Sequence, residues 1–168
     1  MRAMRYADDS EIEQQIRLFG ENMRAARRRA GMTQTELAAV DGLDRAAISL
    51  TEKGKRSPDM RTLLRIAHGV KATPAELVQG IGDYEGSSPT SQPRVVRGGG
   101  QSNGFGANLL LARQGLGLSQ QVLGARADVD AAAISLYERG QREPNLRTIL
   151  KLARTLQTSP AQLLRGVH

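Results

Sequence analysis

The chain has 168 residues, no cysteine and a formal net charge of +7, from 24 lysines and arginines against 17 acids. Without cysteine, neither a disulfide framework nor a cysteine metal site is open to it, and no run of 18 apolar residues or signal-peptide core is present, so a reducing cytoplasm is the expected setting. The positive balance favours polyanionic partners but excludes little by itself, since many soluble proteins are mildly basic.

Residues 1–9 read as loose, and a first helix is expected from about Ser10, where Ser10 and Glu13 have capping-box spacing behind Asp8 and Asp9. Ile12, Ile16, Phe19, Met23 and Ala26 recur at helical spacing and lay one apolar stripe as far as Arg29. Thr33 and Glu36 form another capping box, so a second helix starts at Gln34 with Leu37 and Ala38 inside. Ala38 is small enough to let a neighbouring helix cross closely. Gly42 supplies a left-handed turn and Asp44 caps a third helix over Arg45 to Lys53, which buries Ile48 and leaves Arg45, Ala46, Ser49 and Lys53 to solvent or a ligand. Gly54 ends it. Asp59 caps a fourth helix with Leu63, Leu64, Ala67 and Val70 inside. Thr73, Pro74 and Glu76 announce a fifth, in which Leu77 and Val78 close the core.

A shift of 86 residues superposes the whole pattern on the second half of the chain without a gap. About 26 of 60 aligned positions are identical between Phe19 to Val78 and Phe105 to Leu164, far beyond what composition gives, so the chain is an internal duplication. Ser119, Gln120, Asp130 and the signal Ser159, Pro160, Gln162 repeat the helix starts of the first half. Asp128 stands where the first repeat has the turn glycine, a tolerable but less comfortable residue there. Thr51 stands where the second repeat has Tyr137, which suggests a locally looser core in repeat 1.

The organisation expected is an N-terminal helix extension over residues 1–15, a first domain over 16–80, a linker over 81–103 and a second domain over 104–166. The linker, rich in glycine, serine and proline, carries no periodicity and no net charge, whereas both repeats are basic. As a flexible tether it spans roughly 25 Å, comparable with the ~34 Å between successive major-groove faces of DNA, and Arg94 and Arg97 within it are read mainly as solvated. The extension around Ile12 and Ile16 has two readings of equal weight: it packs on another subunit, or it covers the side of its own domain.

TQTELA, then AISLTEKGKRSPD, then TPAEL, in this order and spacing, make the first repeat similar to the lambda-repressor and Cro-like (Xre) helix-turn-helix domains of bacteria and phages, and the second repeat resembles them too. The resemblance covers most of the chain outside the extension and the linker. It implies an all-α fold of two tandem five-helix domains joined by a flexible linker, the third helix of each entering the major groove of double-stranded DNA.

The family's base-reading positions fall on Arg45, Ala46, Ser49 and Leu50, and in repeat 2 on Ala131, Ala132, Ser135 and Leu136. Arg45 is the best candidate for direct readout, because its planar fork matches guanine O6 and N7, while the repeat 2 face has almost no hydrogen-bonding capacity. Leu50 departs from the polar residue usual there and offers only apolar surface. Gln34 and Gln120, beside the caps Thr33 and Ser119, sit where free amides and a helix dipole favour a phosphate. Lys53, Lys55, Arg56 and Arg61, with Arg139, Arg142 and Arg147, surround the loop after the third helix and are expected at phosphates or in solvent. Arg27 with Glu52, and Arg113 with Glu138, match a structural ion pair between the first and third helices.

The function expected is sequence-specific transcriptional regulation, chiefly repression by occupying a promoter, with no further domain for an inducer read in these residues. A second reading makes repeat 2 a dimerisation or protein-interaction module, or the chain an antitoxin that also binds a partner protein. A homodimer through the helix extension or repeat 2 belongs to these expectations. No catalytic constellation, metal site, cofactor, small-molecule ligand or membrane partner is expected, since no nucleophile, base and orienting group can be named and His68 and His168 are isolated in sequence.

Overall fold

The structure, a computed structural model, describes residues 9–40, 42–82 and 104–168. The expectations for residues 1–8, including Asp8, and for the linker over 83–103, including Arg94 and Arg97, lie outside these. Ten helices and no strands are found among the described residues: α1 (Asp9–Arg29), α2 (Gln34–Val40), α3 (Arg45–Glu52), α4 (Met60–Gly69) and α5 (Pro74–Leu77) in repeat 1, and α6 (Gly104–Gly115), α7 (Gln120–Ala127), α8 (Ala131–Glu138), α9 (Leu146–Thr155) and α10 (Pro160–Leu163) in repeat 2.

Side-chain caps fix most of the boundaries. Asp44 accepts from the Ala46 amide and Asp130 from the Ala132 amide, each at 3.0 Å, so α3 and α8 start alike. Thr33 and Glu36 cap α2 in both directions, as do Thr73 and Glu76 at α5. These amide hydrogen bonds hold the Glu36 and Glu76 carboxyls below the usual range. The turn between α2 and α3 uses Gly42 at φ 62°, and its counterpart Asp128 takes φ 52°. Lys151 donates to the Asp128 carboxylate at 2.9 Å, and a short polar side chain is among the few that enter this region.

The core follows the expected stripe: Ile12, Ile16, Phe19, Met23 and Ala26 of α1 pack with Leu37, Ile48, Leu63 and Leu77, all buried. Ile81, placed in the linker by sequence, is instead 1 % exposed, because it adds a last apolar side chain to that core. Thr51 does not loosen repeat 1 as expected. It is buried, and its hydroxyl donates to the Ala47 carbonyl at 2.8 Å, so nothing polar is left unsatisfied there.

The repeats are not independent modules on a tether: they pack against each other, and their buried apolar side chains form one cluster. Where they meet, Asp59 pairs with Asn145 in an isolated antiparallel bridge. The Met60 amide donates to the Pro144 carbonyl at 3.1 Å, and the Leu146 amide to the Pro58 carbonyl at 2.9 Å. Helix α5 packs on α10. The extension of α1 lies across the second repeat, where α1 meets α9: Glu11 pairs with Arg154 at 2.9 Å and Glu13 with Arg147. The extension thus also packs on the second repeat of its own chain, a contact that neither expectation named.

Candidate nucleic-acid interface

Helix α3 lies against α1 because Gly20 has no side chain. A Cβ there would stand 2.5 Å from the Thr51 carbonyl oxygen and 2.8 Å from that of Glu52. Gly106 plays the same part between α6 and α8, with 2.6 Å to the Tyr137 oxygen. This close approach lets Arg27 reach Glu52, with Nε to Oε1 at 2.6 Å and Nη2 to Oε2 at 3.1 Å, while Nη1 donates to the Met32 carbonyl at 2.6 Å. Gln34 adds a bond from Nε2 to Glu52 Oε2 at 2.9 Å, joining α2 to the same carboxylate.

Repeat 2 reproduces the network: Arg113 holds Glu138 at 2.6 and 3.0 Å, and Gln120 donates to Glu138 at 2.7 Å. Burial pushes the Glu52 carboxyl up, but the hydrogen bonds from Arg27 and Gln34 outweigh it and leave it below the usual range. The bond to Glu52 in turn raises Arg27, and that to Glu138 raises Arg113. Both ion pairs are nearly buried and doubly hydrogen-bonded, each with a further bond from a glutamine, and they fix the end of α3 and α8.

What α3 presents outward is Arg45, Ala46 and Leu50, all exposed, with Ser49 half-buried beside them. On α8, Ala132 is exposed while Ala131, Ser135 and Leu136 are half-buried. After α3, the loop exposes Lys53, Lys55 and Arg56, and Arg61 is exposed on the first turn of α4. In repeat 2, Arg139 and Arg142 are exposed, Arg142 standing 6.0 Å from the Tyr137 ring centre. Arg147 differs from its counterpart Arg61: it is half-buried and held by Glu13 across the junction. A cavity of about 520 Å³ opens there, between Arg17, Lys53, Lys55 and Arg56 of repeat 1, the Glu13 carboxylate and Arg147 of repeat 2. No group of three or more metal-ligating side chains occurs among the described residues.

A profile described as "Helix-turn-helix domain" matches residues 18–79, and one described as "Helix-turn-helix" matches 109–163, so each covers one repeat. An uncharacterised HTH-type transcriptional regulator of Sinorhizobium fredii is 36% identical over 62 residues, which are 37% of this chain and 80% of that protein. The chain belongs to the lambda-repressor and Cro-like helix-turn-helix family. Repressor protein C2 of Salmonella phage P22 is 39% identical over 62 residues, 37% of this chain, and the match spans 29% of that repressor's length. The restriction-modification controller protein C.AhdI of Aeromonas hydrophila, a solved structure, is 32% identical over 37% of this chain and 94% of its own, with a TM-score of 0.36.

Two supports of this family site escaped the sequence reading. Gly20 and Gly106 set the distance between helices, and Asn22 and Asn108 hold the chain after the fifth helix, each donating through Nδ2 to two carbonyls: Leu77 and Gln79 in one repeat, Leu163 and Arg165 in the other. Both pairs are identical across the 86-residue shift, and that was the signal available. No helix among the described residues is long and apolar enough to cross a membrane.

Proposed function

We infer that the protein is a sequence-specific double-stranded DNA-binding transcriptional regulator that represses by occupying a promoter. The observation that carries this reading is the duplicated Arg–Glu–Gln network, which braces an outward helix face beside an exposed run of cations. On this reading α3 enters the major groove, Arg45 grips a guanine edge, and Ser49 and Leu50 add a polar and an apolar contact. Gln34 and Gln120 each keep a second amide N–H for a backbone phosphate, oriented by the bond already made to Glu52 or Glu138. Lys53, Lys55, Arg56, Arg139 and Arg142 supply sequence-independent attraction.

The test has two stages. Selection from random duplexes should enrich a defined site that shifts in a mobility assay, and a reporter promoter carrying that site should fall in output when the protein is supplied. Rising output would mean activation, and failure to enrich any sequence would remove the regulator reading.

A further inference from the structure

At the bridge and between α5 and α10, the contacts between the repeats obey a rule. Residue 59 pairs with residue 145, its own counterpart under the 86-residue shift, and the two flanking bonds, Met60 to Pro144 and Leu146 to Pro58, exchange places under the same shift. Helix α5 likewise meets its counterpart α10, and the shallow cleft between them is lined by the matched pairs Ala75 and Ala161, Glu76 and Gln162, and Gln79 and Arg165. Contacts of residue i with j and of j with i are the mark of a two-fold axis, whereas units related by translation would join unlike patches. The chain thus contains within itself the arrangement that two copies of a single-domain protein reach by dimerising.

Two features make this pairing specific to the two halves of one chain. The α1 extension spans the junction and clamps α9 through Glu11 and Glu13, and the matching stretch of repeat 2, residues 95–103, reads VVRGGGQSN and has no apolar stripe. Repeat 1 set against another repeat 1 would also bring Asp59 opposite Asp59, where the chain has Asn145.

A two-fold axis inverts one reading surface relative to the other, and a rigid junction fixes their separation. Since operator symmetry mirrors protein symmetry, the duplex that fits has inverted half-sites. The cavity where the repeats meet is lined by Arg17, Lys53, Lys55 and Arg56 of repeat 1, so the junction carries positive charge beyond the paired Glu13 and Arg147. We propose that one chain is by itself a complete two-fold DNA-binding unit, which takes a duplex carrying two unlike half-sites in inverted orientation at one fixed spacing. The inference rests on the regulator reading given above.

The experiment selects bound sequences with the full chain from duplexes whose randomised core is several helical turns long, and measures the mass of the free protein and of its complex with the winning duplex. Two unlike, inverted half-sites at a single spacing, bound by one chain that is monomeric when free, is the expected result. Direct repeats, several spacings, or two chains per winning duplex would overturn the inference and leave the regulator reading standing. No enriched sequence at all would remove both. A Glu11→Arg, Glu13→Arg chain, checked for native helical content, should bind several spacings, and strict spacing retained in it would show that the clamp does not set the geometry.

Discussion

Arg27 holds Glu52 through two hydrogen bonds, at 2.6 and 3.1 Å, and so ties the long first helix to the end of the helix that carries Arg45. With side-chain exposures of 10% and 4%, the pair is dry enough that removing one partner leaves the other's charge poorly solvated. Glu52→Ala should therefore destabilise the protein by ~3 kcal/mol and lower its melting temperature by several degrees or more, while DNA binding weakens because α3 is no longer anchored. Calorimetry beside a binding titration checks this. Weaker binding at unchanged melting temperature would instead put Glu52 at the interface.

The same carboxylate gives a pH dependence of known sign. Because its folded value lies below the usual one, its contribution is complete above the ordinary glutamate value of about 4.3 and is lost as pH falls through the lowered folded value. Stability should fall on acidification in that range, and the difference between the natural chain and Glu52→Gln should shrink with it. Asp59, lowered chiefly by the Thr62 amide, and Asp128, lowered by Lys151, titrate in the same direction, so only that difference isolates Glu52.

Gly20→Ala is a case where helix propensity and packing disagree. Alanine favours a helix interior over glycine by about 1 kcal/mol, but its Cβ would meet two backbone oxygens at 2.5 and 2.8 Å that cannot move without displacing α3. The clash should win, with a net loss of ~1–3 kcal/mol and a parallel loss for Gly106→Ala. Thermal melts of both variants would decide it, and a gain in stability in either would mean that the helices have room to separate.

Charge neutralisation should distinguish the cations around the junction. Replacing Lys55 or Arg56 with alanine is expected to weaken binding to all sequences alike and to make the slope of log affinity against log salt shallower by roughly one unit. Arg147→Ala should change the slope less, because Glu13 already neutralises that arginine. Titrations over a range of salt settle the ranking, and an unchanged slope in both Lys55 and Arg56 variants would remove their assignment to phosphates.

The two repeats should divide the reading of bases unequally. Arg45 can make a bidentate contact worth ~1–3 kcal/mol of discrimination, whereas Ala131 at the matching position offers only van der Waals contact. Arg45→Ala should relax the preference at one operator position, and Ala131→Gln should do little harm or add a preference. Sequence profiling of both variants tests this, and unchanged preference after loss of Arg45 would overturn the ranking.

Helix starts were legible because their cause is local. Asp44, Asp59, Thr73 and Ser159 each cap with their own oxygen, within three residues of the amide they hold. The ion pair came only through family likeness, since 25 residues separate Arg27 from Glu52 and nothing near either one requires the other. The role of Gly20 was hidden for a similar reason: an absent side chain leaves no pattern until the opposing backbone is known. Least visible was the junction. Nothing in the sequence around Met60 and Leu146 says that their amides bond to the other repeat, and a glycine-rich linker suggested independence.

The bridge between Asp59 and Asn145 also bears on how binding responds to the amount of protein present. Two separate subunits must meet before they can act together, so at low abundance their paired form falls with the square of concentration. A junction made inside one polypeptide needs no encounter, and halving the number of molecules halves, rather than quarters, those ready to bind. Regulation built on such a chain would fade gradually as cells grow and divide, without the threshold that assembly imposes.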